Sequence, residues 1–405
     1  MPLSKNRLYG TAAVTGTLVA AVVLSAQAAV APLEKTGVFR VAGPDRYQTS
    51  VALSGKIATP PQDVVYIASG ADFPDALAAG PAIARAQAPL LLVKPDSVPD
   101  SIAEELQRLE PAEVRIIGGK DAVSTAVADA IEAATEASVT RIGGADRYET
   151  AALFGGEEER TRVVVASGET FADALAGGPA AAMLDSVIVL TRKDQVPTAT
   201  LESLEKLNPD QIVVLGGEAA ITPETAAALG AVVPGATVNR IAGANRYETA
   251  AAVATEFWPD GSDTVFYAAG ANFPDALSGV PVAALSEAPI LLTHVNEHPV
   301  EVREATATLG AETQITLGGA SVAYMESNSP SPSATATTTP SGSASPTATP
   351  TVPAGPDPTD VDNVRCSDFT TQAQAQKWYD YWYPTVGDKF GLDRDKDGRA
   401  CEALP

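Results

Sequence analysis

The sequence predicts an α/β protein made of three tandem parallel-sheet units, and three observations predict it. A marker, Arg40-Val41-Ala42-Gly43-Pro44-Asp45-Arg46-Tyr47-Gln48-Thr49, returns as Arg141-Ile142-Gly143-Gly144-Ala145-Asp146-Arg147-Tyr148-Glu149-Thr150. It returns again as Arg240-Ile241-Ala242-Gly243-Ala244-Asn245-Arg246-Tyr247-Glu248-Thr249. The copies lie about 100 residues apart, too far for one solenoid repeat, so each predicts a unit with its own core. A second phrase follows each marker: Gly70-Ala71-Asp72-Phe73-Pro74-Asp75-Ala76-Leu77, then Gly168 to Leu175, then Gly270 to Leu277. Third, short β-branched runs alternate with helical patterns, as parallel strands covered on both faces require.

The elements follow in order. In the first unit the strand-like runs are Val38–Val41, Val64–Ala68, Leu90–Val93 and Val114–Ile117. Helical patterns begin near Asp45, Asp72, Val98 and Asp121. Gly118-Gly119, Gly216-Gly217 and Gly318-Gly319 close the fourth strand, where glycine permits a tight turn. The units are placed at 38–137, 138–237 and 238–326. The third is short: after Gly319 only residues to Met325 precede Ser and Pro. Its last helix is expected to be reduced or missing, with its face covered by a neighbour or frayed.

The flanks have other characters. Residues 1–31 read as a secretory signal, with Lys5 and Arg7 before a small, apolar stretch and Ala-x-Ala cleavage patterns. No other stretch could span a bilayer, so a secreted protein is expected. Residues 327–362 are rich in Ser, Thr and Pro and should form a disordered linker, able to reach on the order of 100 Å. Residues 363–405 form a small tail with the chain's two cysteines, Cys366 and Cys401, expected to pair in an oxidising compartment. That bridge would close about 35 residues and contribute about 3 to 4 kcal/mol. A net charge of −23 disfavours nucleic acid as a partner, and disfavours simple adhesion to a polyanion unless local arginines or a bound cation mediate it.

The tail carries the strongest local motif. Asp393, Asp395 and Asp397 alternate before Gly398, the pattern of an EF-hand-type calcium loop, with the carbonyl of Arg399 at the seventh position. Glu402 stands at the tenth position, earlier than the usual twelfth, so the loop is a shortened relative that should bind Ca2+. The tail resembles the excalibur family of extracellular calcium-binding domains at Cys366, Asp368 and Asp393-x-Asp395-x-Asp397-Gly398-x-x-Cys401-Glu402. The resemblance implies calcium-ligand roles for Asp393, Asp395, Asp397 and Glu402.

In the repeats, Asp45, Asp146 and Asn245 are N-cap residues, with Gln48, Glu149 and Glu248 at capping-box spacing. Asn at one copy argues for hydrogen bonding and against a metal or a base. The arginine that follows, Arg46, Arg147 or Arg246, opposes the helix dipole and so needs a fixed partner. That partner is either an Asp of its own or a neighbouring unit, or a bound anion at the strand ends, where open α/β sheets take ligands. Asp75, Asp173 and Asp275 lie three residues after Asp72, Thr170 and Asn272, which predicts a second capping box, a structural helix start with the carboxylate held as the anion. His294 and His298 precede Pro299 in a loop, and with no third ligand evident they do not make a metal site.

The marker, the Gly-x-x-Phe-x-Asp-Ala-Leu phrase, the apolar runs ending near Thr191 and Thr293 and the Gly-Gly strand ends are similar to the cell wall-binding repeat 2 family. Ala172 replaces proline, and Asp185-Ser186 stands where the other copies have Ala-Pro. The resemblance implies Rossmann-like units in a triangular pseudo-trimer, monomeric overall. It implies non-covalent anchorage to an anionic cell-wall polymer or a peptidoglycan-associated glycan. The expected protein is therefore non-enzymatic, secreted and associated with the bacterial cell wall, and displays a calcium-binding tail. The alternatives are an amidase-like wall hydrolase using a repeated Asp/Arg site, and a small-ligand binding protein.

Overall fold

The computed structural model describes residues 36–72 and 74–325. The expected signal, linker and tail, with the calcium loop and the Cys366–Cys401 pair, lie outside the described residues.

In chain order the elements are β1 (Gly37–Val41), α1 (Arg46–Ile57), β2 (Val64–Ser69), a 3-10 turn (Pro74–Ala76) and α2 (Gly80–Arg85). Then follow β3 (Leu90–Val93), α3 (Asp100–Leu109), β4 (Glu113–Ile117), α4 (Thr125–Ala134) and β5 (Ser138–Ile142). The second round is α5 (Arg147–Gly155), β6 (Arg162–Ser167), α6 (Ala172–Met183), β7 (Val187–Thr191), α7 (Thr198–Leu207), β8 (Gln211–Leu215), α8 (Pro223–Val232) and β9 (Thr237–Ile241). The third is α9 (Arg246–Phe257), β10 (Thr264–Ala269), α10 (Pro274–Leu285), β11 (Ile290–Thr293), α11 (Val300–Leu309) and β12 (Thr313–Leu317).

Three four-stranded parallel sheets result, ordered β3-β2-β4-β5, β7-β6-β8-β9 and β11-β10-β12-β1. The marker strand does not join the sheet of the residues that follow it. β5 and β9 complete the sheets that precede them, and β1 pairs with β12, bringing Arg40 opposite Thr316. The first unit's four strand-like runs are therefore split between two sheets. Helical periodicity and strand propensity are local, whereas this pairing spans most of the chain.

Strands β2, β3, β7 and β11 are buried at every residue because their side chains are mostly apolar on both faces, whereas the marker strands β1, β5 and β9 are partly exposed. Helices α2, α6 and α10 pack against one another at the centre. They are rich in Ala and Gly, which lets backbones approach closely. Gly80 and Gly178 both face Val280, the residue at the same place in the third copy, so one valine fills the space that two glycines leave. Helix α5 packs on the 3-10 turn, α9 on α6, and α1 on α10, so every marker helix contacts the preceding unit and the first contacts the last.

The third unit has no described helix after β12. Its sheet is altered to match. Val114 and Ile116 of β4, like Ile212 and Val214 of β8, are fully buried in clusters that include the outer helix. Gln314 and Thr316 take those positions in β12. The Tyr267 hydroxyl pairs with Thr306 Oγ1 at 2.7 Å and donates to Gln314 Oε1 at 3.3 Å, so a polar network stands where the other units are apolar. Among the described residues no helix is long and apolar enough to cross a membrane.

Candidate polymer-binding clefts at the strand ends

Each cleft is built at the carboxyl ends of the strands, where one unit meets the marker helix of the next. The marker turns are capped as their residue types require. Asp45 accepts from the Gln48 N–H, Asp146 from Tyr148 and Glu149, and Asn245 from Tyr247 and Glu248. Glu149 and Glu248 reach back to the N–H of Ala145 (2.7 Å) and Ala244 (2.8 Å), one residue before the cap.

Two arginines of each marker have distinct tasks. Arg40, Arg141 and Arg240 clasp the Gly-Gly turn of the sheet they complete. Arg141, for example, donates to the carbonyls of Gly118 (2.8 Å), Gly119 (3.0 Å) and Val123 (2.8 Å). Arg40 and Arg240 donate to the matching Gly318 and Gly216. Arg46, Arg147 and Arg246 donate to the carbonyls of Gly70, Gly168 and Gly270 at 2.5, 2.6 and 2.5 Å. The guanidinium of Arg46 also lies over Phe273 (6.0 Å) and that of Arg246 over Phe171 (5.5 Å), rings of the preceding unit. The fixed partner demanded by the helix dipole is thus a strand-end carbonyl in all three copies, joined by an aromatic face at Arg46 and Arg246.

The phrase glycine is there for clearance. A Cβ on Gly70 would sit 2.7 Å from the Tyr47 ring and one on Gly168 would sit 2.6 Å from Tyr148, so the tyrosine lies flat on the strand end only against glycine. The Gly-Gly turn has a further reason: Gly118, Gly216 and Gly318 have φ of +94°, +95° and +87°. A side chain there would also strike Asp75, Asp173 or Asp275.

Those aspartates are in the first turn of their helical segments, but not as capping-box partners. Helices α6 and α10 begin after Phe171 and Phe273, which give no side-chain cap, so Thr170 and Asn272 are not N-caps. The carboxylates reach across the junction instead. Thr150 Oγ1 donates to Asp75 Oδ1 at 2.9 Å while accepting the Gly144 N–H at 3.1 Å. Thr49 and Thr249 accept the equivalent Gly43 and Gly243 N–H groups. Asp173 and Asp275 are 8% and 9% exposed, and burial pushes both carboxyls above the usual range. Arg246 opposes this rise at Asp173; Thr49 and Arg46 do so at Asp275. The dipole-stabilised anion expected from helix position is outweighed by desolvation.

The first cleft encloses about 310 Å³ between β2, β4 and the start of α5. That is the switch point of the sheet, where strand order reverses. Among the described residues its lining includes Asp72, Asp75, Asp121 and Asp146 against one cation, Arg147. The cleft floor is therefore acidic, and no group of three or more His, Cys, Asp or Glu among the described residues could hold a metal.

Three exposed residues follow the third strands of the units: Lys94 and Arg192, which sequence reasoning passed over, and His294, which it weighed only as a metal ligand. Pairing of Ser69 with Val93, Ser167 with Thr191 and Ala269 with Thr293 makes them equivalent. Arg192 lies over the Tyr148 ring at 4.9 Å, and His294 packs on Tyr247 at 4.3 Å. A basic side chain at that place in every copy was the available signal. His298, in contrast, is buried between Tyr267 (4.1 Å) and Tyr324 (4.8 Å), and Thr293 Oγ1 lies 2.8 Å from its Nδ1.

Comparison with known proteins agrees with this arrangement. The family model for cell wall binding domain 2 matches residues 40–128, 141–226 and 240–325. The chain is 29% identical over 262 residues to N-acetylmuramoyl-L-alanine amidase LytC of Bacillus subtilis, covering 65% of this chain and 51% of that protein. It is 28% identical over 268 residues to the amidase enhancer of the same organism, covering 66% of this chain and 36% of that protein. Among solved structures, Cwp6 from Clostridium difficile superposes with a TM-score of 0.67 at 30% identity, over 71% of this chain and 46% of that one. Cwp8 from the same organism shares the fold, with a TM-score of 0.64 at 24% identity over 71% of this chain and 50% of that one. The chain thus spans about half, or less, of the proteins it matches. With three copies of the model covering most of its described residues, the chain belongs to the cell wall binding domain 2 family.

Proposed function

We propose that this protein holds itself to the cell wall by binding an anionic wall polymer at three equivalent strand-end surfaces, without catalysing a reaction. The observation that carries this reading is the threefold repetition of one junction. In each, a marker arginine is fixed on a strand-end glycine carbonyl. Three like surfaces suit a ligand that repeats. Three weak contacts to one chain act at high effective concentration, so modest affinity per unit gives durable attachment.

The hydrolase reading finds no support at the repeated Asp/Arg pair. Asp173 and Asp275 are buried against the Gly-Gly turns, and Asp75, which lines the first cleft, is engaged by the Thr150 hydroxyl. Resemblance to an amidase over half of its length is accounted for by shared wall-binding repeats. We further propose that residues 1–31 direct secretion, that residues 327–362 act as a spacer, and that residues 363–405 bind Ca2+ through Asp393, Asp395, Asp397, Arg399 and Glu402, braced by a Cys366–Cys401 disulfide.

The test is co-sedimentation of the purified chain with isolated walls, before and after the secondary polymers are stripped from the peptidoglycan. Binding to intact walls and release on stripping are expected. Equal binding to stripped peptidoglycan would exclude the polymer.

A further inference from the structure

We propose that Arg192, seated on Tyr148, is the side chain through which the second unit grips an oxyanion of the polymer, a phosphodiester or a carboxylate. This rests on the wall-binding reading above. Its basis is a difference among the arginines. Arg40, Arg141 and Arg240 turn several guanidinium N–H groups onto backbone carbonyls within the junctions, and Arg46, Arg147 and Arg246 are each anchored by one N–H on a strand-end glycine carbonyl. Arg85 and Arg303 donate to the carbonyls of Ser186 and His298, and Arg162 to Gln211. Arg108, Arg115 and Arg160 pair with Glu105, Glu113 and Glu158. Among the described residues Arg192 alone of the arginines donates to no protein acceptor and joins no ion pair.

It is nevertheless held in place. Its guanidinium lies 4.9 Å from the Tyr148 ring centroid, and that ring is only 3% exposed and rests on Gly168. Attraction to a ring face consumes no N–H, so all five donors stay available. A planar donor fork fixed in advance, exposed and unspent, matches the two oxygens of a phosphate or carboxylate. Lys193 follows it and adds a second exposed cation. The units differ here: the equivalent residues are Lys94-Pro95 and His294-Val295, so only the second unit presents a bidentate donor beside a lysine.

Nearby acids temper the site. Glu169 and Asp146 act on the same Tyr148 ring environment as Arg192, and Asp194 lies two residues on. Glu169 Oε2 accepts the Lys193 backbone N–H at 3.4 Å. A lone small anion would be held weakly in that setting, whereas a polymer with regularly spaced charges gains from several units together.

The experiment compares the full chain with Arg192→Gln, Arg192→Lys and, as a charge control on another surface, Lys56→Gln. Each is sedimented with isolated walls over a salt series. Arg192→Gln should weaken binding about tenfold and flatten its salt dependence, Arg192→Lys should lose part of that, and Lys56→Gln should match the parent. Thermal midpoints should not change, because the side chain is exposed and makes no protein hydrogen bond. Free glycerol teichoic acid and polygalacturonate serve as competitors. The one that displaces the parent but not the residual Arg192→Gln binding identifies the oxyanion as phosphodiester or carboxylate. If the parent fails to bind walls, the wall-binding reading itself falls. If the parent binds and Arg192→Gln binds equally, or Lys56→Gln loses as much, or neither competitor acts, the assignment to Arg192 is overturned.

Discussion

Thr150 donates its hydroxyl proton to Asp75 across 75 residues of sequence, at 2.9 Å, and so ties the second marker helix to the first unit's phrase. The same hydroxyl accepts the Gly144 N–H. Thr150→Val would keep the volume and leave both partners unsatisfied in a buried junction. We expect a loss of about 1–3 kcal/mol, read as a lower midpoint in urea unfolding with an unchanged slope. An unchanged midpoint would mean that solvent replaces the hydroxyl at no cost.

The centre of the molecule makes a packing prediction. Gly80→Ala places a methyl group against Val280, and overpacking of this kind costs about 1–3 kcal/mol. Val280→Ala in the same chain should recover much of that loss. A double-mutant cycle measures it, and strict additivity of the two changes would show that the helices shift apart instead.

The structural arginines should behave unlike Arg192. Arg141→Lys removes the fork that serves the carbonyls of Gly118, Gly119 and Val123, so it should lower the thermal midpoint measurably. Arg192→Lys should not.

The third unit predicts a pH dependence. Burial, with Arg303 nearby, pushes His298 down to about 4, from about 6.5 when unfolded. Between those values the unfolded chain binds the proton that the folded chain refuses, so stability should fall as pH drops from about 6.5 toward 4. The loss is at most ~3 kcal/mol for this group. His298→Phe, which keeps a ring against Tyr267, should flatten that slope in urea titrations at pH 7 and pH 5. Asp173 and Asp275 act in the opposite sense at lower pH: burial raises both, so their protonation relieves the folded state.

Removal of residues through Ala42 deletes β1 and bares the β12 edge of the third sheet. Unpaired parallel edges invite association, so the shortened chain should aggregate or lose the protease resistance of residues 264–317. Retention of full resistance would show that β1 is dispensable.

What the sequence determined by itself was what short-range chemistry controls. Apolar β-branched runs became the buried strands, and Asp45, Asp146 and Asn245 became N-caps because a short polar side chain satisfies the N–H groups beside it. The repeats announced three like units. Tertiary structure decided the rest. Pairing of β1 with β12 and the turn of Asp75 away from its own helix start toward Thr150 depend on residues far apart in the chain, and so does the seat of Arg192 on the Tyr148 ring, where among the described residues it meets no hydrogen-bond acceptor. Spacing reveals which residues share a turn of helix; only the packed junction reveals which donors are already taken.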